Sequence, residues 1–391
     1  MNTELLSGLN PEEYKNPFEH LDIKKEHLPM LSLTYSDEDG ESVEVIVSNR
    51  YRVTDITMEA YKAIPAVRQS TLKDVFDDPS KVDKEYDQNK GMELGSLVDS
   101  IIAGTFKEDY FVGGETSVSD TMKAMIEEVF NIQKQQAFVD NSEIPDYMEE
   151  ATIMLARDKF QWNMNWGKDT IVKHFNSGSN KGTQDGLDYY NFLLLADGKI
   201  IVSQDKLDVA EDLSKYIKDN YGKILEDSGR QVAYVGDVRI IYKKKEVEMT
   251  LKALIDIDDE SRVYDLKIIG RSLNLFGPSY YRGYGYKYQD TVYHLLTGKP
   301  FYFMCVSTAY PQAMFLRSLD EDENTGQRYF ENIISHVNER GYHQIGLATM
   351  IAEFKYYQKN GFTIPRSVRD NPVGTISEND EKYSHLTFFK K

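Results

Sequence analysis

The chain predicts a mixed α/β (α+β) fold with a central mixed sheet flanked by helices, on three observations. Strand-like runs follow one another at Gln231 to Val235, Val238 to Tyr242, Val247 to Ile257, Arg262 to Ile269 and Phe301 to Ser307. A helical pattern at about Tyr286 to Leu296 is interposed among them, and another, Gln327 to Arg340, follows. A mainly helical stretch at about residues 119–228 comes first. Helices ahead of a strand cluster that is itself crossed by a helix are the pattern of an α/β or α+β core.

Taken in order, residues 1–54 are an acidic N-terminal extension. Its runs Leu31-Ser-Leu-Thr-Tyr35 and Val43-Glu-Val-Ile-Val47 alternate around Ser36-Asp-Glu-Asp-Gly-Glu-Ser42, which predicts a β-hairpin. From Asp55 to about Ile102 the pattern turns helical. Ser70 is placed to cap a short helix over Thr71 to Phe76, with Asp77-Asp-Pro79 ending it. A second helix, about Gly91 to Ile102, carries Leu94, Val98, Ile101 and Ile102 on one face and Gly95 and Asp99 on a neighbouring stripe. Further helices are expected over Asp120 to Phe138, Ile144 to Phe175 and Leu207 to Leu225, with a polar loop at Asn176 to Gly186 and a turn at Ala196 to Lys199. The expected division is the extension 1–54, a domain over 55–345 with a helical insertion at about 119–228, and a C-terminal tail over 346–391.

Composition narrows the function classes. The 391 residues hold 46 Lys+Arg against 64 Asp+Glu, a net charge of −18, which excludes a simple basic DNA-coating protein. Hydrophobic residues at 40% and aromatics at 12% exclude a disordered chain, because enough apolar surface exists to offset the ordering entropy. The one cysteine, Cys305, has no internal partner, and no zinc-like Cys/His spacing occurs, so a reducing, cytoplasmic setting is expected. Nothing approaches the ~18 apolar residues of a membrane span, and no membrane association is expected. The absence of a GxxxxGK[ST] pattern argues against an intrinsic ATP motor.

Chemistry concentrates in Glu248 to Gly270, which reads as two strands joined at Asp258-Asp-Glu-Ser261. Alternation puts Val263, Asp265, Lys267 and Ile269 on one face. With a two- or four-residue loop, Leu254 lies opposite Asp265 and Asp256 becomes its diagonal neighbour, roughly 7–8 Å away, within reach of a shared cation. Hard divalent cations such as Mg²⁺ take carboxylates, water and substrate phosphate, and a metal so held polarises a phosphoryl group and activates water. The lysine would orient or deprotonate that water, or stabilise transition-state charge. Metal-assisted phosphodiester hydrolysis fits all three residues. The bare acid-x-Lys triplet recurs at Glu13-Tyr-Lys15, Asp22-Ile-Lys24 and Asp380-Glu-Lys382, where a solvated salt bridge is the simpler reading. The apolar neighbours Leu254, Ile255, Ile257, Val263, Ile268 and Ile269 set the 256–267 pair apart, since unpaired charge on buried strands is expensive.

A second feature is local. Residues 271–299 carry Arg271, Arg282, Lys287 and Lys299 against one acid, Asp290, with Tyr280, Tyr281, Tyr284, Tyr286 and Tyr288 interleaved. Cations with aromatic rings track phosphates and stack bases in single-strand binding, so Arg271, Arg282, Tyr284, Tyr286 and Lys287 are candidate DNA contacts. Lys243-Lys-Lys245 reads as a solvated hairpin tip.

Asp256 followed by Asp265-Leu-Lys267 resembles the PD-(D/E)xK nuclease signature, and Gln289-Asp-Thr-Val-Tyr293 resembles the QxxxY motif of its RecB-like branch. Ser70-Thr-Leu-Lys73 and Met92-Glu-Leu-Gly-Ser-Leu-Val-Asp99 are similar to the N-terminal part of RecE-like, exodeoxyribonuclease VIII-like exonucleases, and Phe301 to Pro311 with Phe315 to Leu319 to their later strands. The resemblance spans roughly residues 65–345 and implies a restriction-endonuclease-like core. It implies that Asp256, Asp265 and the Leu266 carbonyl bind Mg²⁺ or Mn²⁺, that Lys267 is catalytic, and that Gln289 and Tyr293 flank the site. Relatives carry His where this chain has Asp99, which would then be a harder metal ligand, and often Glu where Gln231 stands. The implied activity is a metal-dependent DNA exonuclease in phage or bacterial recombination or end processing, in the bacterial host cytoplasm if phage-encoded. The implied partners are DNA, a single-strand annealing protein and further copies of the chain. The alternatives are a single-strand-specific nuclease, an endonuclease, or a non-catalytic DNA-binding or assembly protein on a decayed nuclease fold, to which the Asp99 and Gln231 departures point.

Overall fold

The computed structural model describes residue 18 and residues 23–82, 90–114, 118–177, 185–270, 273, 276, 285–308, 313–317, 325–337 and 343–362. The chain divides into two compact units, one of Met1–Met92 with Ile217–Lys391 and one of Glu93–Tyr216. Among the described residues no helix is long and apolar enough to cross a membrane.

The first unit opens with β1 (Lys25–Leu28), β2 (Leu31–Ser36) and β3 (Ser42–Val53). The expected hairpin forms, with Leu31 to Ser36 antiparallel to Val47 to Ser42. β3 then continues beyond it and pairs with a later strand, so residues 25–53 are part of the main sheet. The Met58–Ala63 helix is capped by Thr57, whose hydroxyl accepts the Ala60 N–H at 3.2 Å. After the short β4 (Val67–Arg68), the Gln69–Asp77 helix begins one residue before Ser70. Arg68 rather than Ser70 holds the cap position, with no side-chain cap hydrogen bond, because β4 delivers the chain directly into the helix.

In the second unit, Tyr110–Gly113 (β5) and Ile200–Ser203 (β6) pair in parallel. Helices cover Asp120–Asp140, Glu150–Phe160, Lys168–Ser177 and Asp185–Ala196. Their apolar faces meet in a core that includes Met125, Ile126, Val129, Ile153, Ile171, Phe175 and Tyr190. The continuous helix expected over Ile144 to Phe175 is broken: Gln161 and Asn163 take positive φ of 50° and 43°, which an α-helix cannot absorb. The Asp185–Ala196 helix, β5 and β6 were not named individually. The helix is apolar on nearly every side from Leu187 to Ala196, and β5 and β6 have only four residues each, so none of them shows a clear period.

The chain returns to the first unit with β7 (Gly229–Tyr242), β8 (Lys245–Asp258) and β9 (Val263–Ile269). The runs expected as two strands at 231–235 and 238–242 are one strand, because β8 pairs along nearly its whole length. Lys243 and Lys244, with φ of 49° and 64°, make the tight turn between β7 and β8 that such hairpins need. The Tyr286–Thr297 helix leads to β10 (Phe301–Ser307) and β11 (Ala313–Arg317). The main sheet is mixed, in the order β1-β3-β7-β8-β9-β10-β11, with β2 on β3 and β4 on β8. β9 and β10 are parallel, the remaining pairs on this path antiparallel. The helix expected over Gln327 to Arg340 spans only Thr325–Ile333, since His336–Val337 (β12) pairs with His343–Gln344 (β13). The Leu347–Asn360 helix buries Leu347, Met350, Ile351, Phe354 and Tyr357 in the same core as Val292, Leu295 and Phe303. Part of the expected C-terminal tail is thus core.

Candidate active site

One edge of β8 is paired throughout with β7; the other is shared. β4 runs parallel against Leu251 and Lys252, and β9 runs antiparallel against Ile257 and Asp258. Residues 253–256 lie in the fork between these partners. Buried backbone groups need partners, and here side chains supply them. The Tyr293 hydroxyl donates to the Leu254 carbonyl at 3.1 Å, and the Leu266 N–H donates to Asp256 Oδ2 at 2.8 Å. The fork therefore draws Asp256 and Tyr293 toward β9.

The β8–β9 register differs from expectation. Ile257 faces Tyr264 and Asp258 faces Val263, and continuing that register sets Asp256, not Leu254, level with Asp265. The cause is the turn. Asp259 Oδ1 accepts the Ser261 N–H and hydroxyl at 3.0 and 2.9 Å, while the Asp259 N–H donates to the Arg262 carbonyl at 3.0 Å, centring the loop one residue later than expected. A two-residue shift keeps each side chain on its face, so the two acids still converge. Across β7, the positions between Arg230↔Ile257 and Val232↔Ile255 are Gln231 and Asp256, and Gln231 has a φ of 50°.

Asp265 is 4% exposed and engaged on both oxygens. Lys267 Nζ lies 2.5 Å from Oδ2, and Gln289 Nε2 donates to Oδ1 at 2.5 Å. Burial opposes the charge of Lys267, but Asp265 and Asp256 outweigh it and hold its ammonium above the ordinary lysine range. The ammonium also lies 5.3 Å from the Tyr286 ring and 6.0 Å from that of Phe303, a cation–π seat. Burial first, then the charge of Asp265, pushes the Tyr293 phenol well up, so it serves as a neutral donor. Gln289 and Tyr293 reach the cluster together because they stand four apart on one helix. The structure thus brings together Asp256, Asp265, Leu266, Lys267, Gln289 and Tyr293.

The basic tract is placed otherwise. Arg271, Arg282, Tyr284, Tyr280 and Tyr281 lie outside the described residues. Tyr286 stacks on Phe276 at 5.1 Å and walls the site. Lys287 is half-buried over the Tyr288 ring, with Nζ 3.4 Å from Gln344 Oε1, and burial pushes its pKa down to about 8. Lys299 is spent on Asp258 Oδ1 and the Asp259 carbonyl at 2.6 and 2.7 Å. At the hairpin tip Lys243 pairs with Glu41 at 3.1 Å. Asp99 belongs to the second unit, on the Lys90–Ala103 helix, where after burial and Asp109 it helps push the Tyr110 phenol up to about 12.

Two buried networks hold the elements that carry the site. Asp258, with a fully buried side chain, accepts from Arg52 Nε at 2.7 Å, the Tyr234 hydroxyl at 2.9 Å and Lys299 at 2.6 Å. On the helix, His294 Nδ1 lies 2.9 Å from the Lys299 carbonyl and Nε2 2.9 Å from the Tyr35 hydroxyl. A carbonyl can only accept, so Nδ1 carries the proton and Nε2 accepts from Tyr35. Burial lowers the His294 pKa, keeping it neutral. The unfolded state then binds a proton the folded state refuses, so this contribution is full above the ordinary histidine value of about 6.5 and is lost as pH falls below it. A His294→Gln variant is expected to lose less stability between pH 7 and 5.5 than the natural protein, as read by urea denaturation at both values.

Sequence reasoning missed Lys252. Its ammonium donates to the carbonyls of Tyr61, Lys62 and Ile64 at 3.0, 3.1 and 2.6 Å and caps the Met58–Ala63 helix from the sheet. A lysine interrupting the apolar run from Leu251 to Ile255 was the available signal.

Among the described residues no group of three or more His, Cys, Asp or Glu side chains gathers as a metal cluster. Two carboxylates in a hard-oxygen environment are nonetheless a sufficient protein share for Mg²⁺ or Mn²⁺, which draw their remaining ligands from water, carbonyls and phosphate. No family model matches the chain, and no curated protein matches it. Among solved structures, the crystal structure of Candida albicans Rai1 in complex with pU5-Mn2+ aligns over 92% of this chain and 88% of that chain at 11% identity. Its TM-score of 0.19 carries no argument about fold or function.

Proposed function

We propose that the chain is a metal-dependent deoxyribonuclease with a restriction-endonuclease-like core of the PD-(D/E)xK kind, acting as an exonuclease on DNA. The observation that carries the reading is the Asp256–Asp265–Lys267 cluster in the β8–β9 fork, where two converging carboxylates and one ammonium share a site with Gln289 and Tyr293. A structural ion pair needs one acid per base; the second acid leaves room for a cation. Asp256, Asp265 and the Leu266 carbonyl would hold Mg²⁺ or Mn²⁺, which when bound supplies Lewis acidity and a low-pKa water.

The chain's own residues do the rest. Lys267 stays protonated at neutral pH, so it orients the attacking oxygen and stabilises charge on the phosphoryl group rather than acting as a base. Gln289 fixes one Asp265 oxygen, which sets the rotamer of that carboxylate. Tyr286 and Phe303 shield the ammonium from water on one side, strengthening its field.

The test is incubation of linear and covalently closed circular DNA with Mg²⁺ or Mn²⁺ and with EDTA. Loss of linear DNA alone, only with metal, is the expected result. Cutting of circles would convert the reading to an endonuclease, and binding without cutting under either metal would overturn the enzyme.

A further inference from the structure

The second unit carries a feature that the nuclease chemistry does not use. The chain has two tryptophans, and both stand in the segment that breaks the expected helix. Trp162 and Trp166 meet at 5.4 Å and 67°, and His174 lies 5.2 Å from Trp162 and 5.5 Å from Trp166. Trp162 is anchored edge-on against the fully buried Phe175 at 6.0 Å. Trp166 remains 36% exposed, and Met164 and Phe160 in the same segment are 47% and 40% exposed. The backbone holds this arrangement: the Trp162 N–H donates to the Arg157 carbonyl at 3.1 Å and the Trp166 N–H to the Asn163 carbonyl at 2.9 Å.

Aromatic rings grouped with exposed apolar neighbours, rather than scattered singly, mark an interaction surface. The charge around them points to which. Residues 157–176 hold four Lys and Arg against two Asp, in a chain of net charge −18. Lys173 is exposed next to His174, while Arg157, Lys159 and Lys168 pair with Asp158, Glu128 and Glu150 in surface ion pairs of the kind that contribute little in water. Burial keeps His174 below its ordinary pKa, so it offers a neutral ring face. Aromatic faces amid cations are what single-stranded nucleic acid stacks on, without sequence preference.

We propose that Trp162, Trp166 and His174 form a platform that stacks bases of single-stranded DNA. Binding there requires none of Asp256, Asp265 or Lys267, so the platform and the nuclease stand or fall separately. Because both tryptophans lie in the platform, intrinsic tryptophan emission reports on it directly. The experiment titrates the full chain, in EDTA, with a short oligothymidine while emission and fluorescence anisotropy of the labelled oligonucleotide are read. Quenching that saturates with binding and weakens with salt is expected. Trp166→Ala is expected to weaken binding about tenfold, the equivalent of ~1.4 kcal/mol, and Trp166→Phe to restore most of it. Oligonucleotide binding with unchanged emission, or equal affinity for Trp166→Ala, overturns the proposal. So does quenching by blunt duplex to the same degree, or no response to nucleic acid at all, which would leave the surface to a protein partner. Loss of DNA cleavage in Lys267→Ala with quenching intact would separate the two sites.

Discussion

On the proposed nuclease reading, replacement of Lys267 by alanine is expected to lower metal-dependent cleavage of linear DNA by about 10²–10³-fold, the usual loss when one preorganised transition-state donor is removed. The ammonium is held above its ordinary pKa by Asp265 and Asp256, against burial, so its charge is present throughout the neutral range. Because the folded pKa is raised, its contribution to stability is complete below the unfolded lysine value of about 10.4 and fades only as pH rises past it. Its removal leaves the Asp265 carboxylate, 4% exposed, with Gln289 as the remaining neutral donor. Breaking a fully buried pair costs about 3–5 kcal/mol; here the lysine side chain is 24% exposed, which places the expected loss below that range. Urea denaturation in EDTA and in excess Mg²⁺ would separate the effects. Divalent cation is expected to recover stability in Lys267→Ala, by replacing the lost charge, without recovering cleavage. Native-like cleavage by this variant would remove Lys267 from the mechanism.

The largest stability effect is expected at Asp258. Its side chain is fully buried and serves Arg52, Lys299 and Tyr234 at once. Asp258→Ala leaves two cations and a hydroxyl without their acceptor; a fully buried charge left alone costs about 3–5 kcal/mol, and with Arg52 and Lys299 27% and 23% exposed the loss is expected near the lower end of that range. Because that acid ties β3, β7, β8 and the loop before β10 together, the loss is expected as a lower urea midpoint of one cooperative transition of the first unit. Asp258→Asn keeps the volume and two hydrogen-bonding atoms but not the charge, and should fall between. An unchanged midpoint for Asp258→Ala would show that Arg52 and Lys299 find solvent without penalty.

Much of the site was legible from local periodicity. Asp265 and Lys267 contact one another because residues two apart on a strand share a face. Gln289 reaches Asp265 while Tyr293 reaches Leu254 because residues four apart share a helix face. The spans of β9 and β10 and the extent of the Tyr286–Thr297 helix follow from the same two periods within a residue or two. The register of Asp256 was off by two positions because it depends on an Asp259 side-chain turn that competes with the simpler loops. The break at 161–167 escaped notice because nothing in apolar spacing encodes a left-handed residue such as Gln161.

By itself, the sequence determined what is periodic and covalent: which residues share a face, where acids and bases cluster, and that a pair of acids and a lysine stand on apolar strands. Only the tertiary structure decided how those charges are spent. Lys299 reads as part of a basic tract, yet it is consumed by Asp258, forty-one residues away. Lys287 turns into the fold beside Tyr288. The fork that gathers Asp256 and Tyr293 exists because β4 and β9, nearly two hundred residues apart in the chain, divide one edge of β8. Such choices rest on long-range pairing and on the cost of leaving a buried charge or backbone group alone, which no local pattern carries.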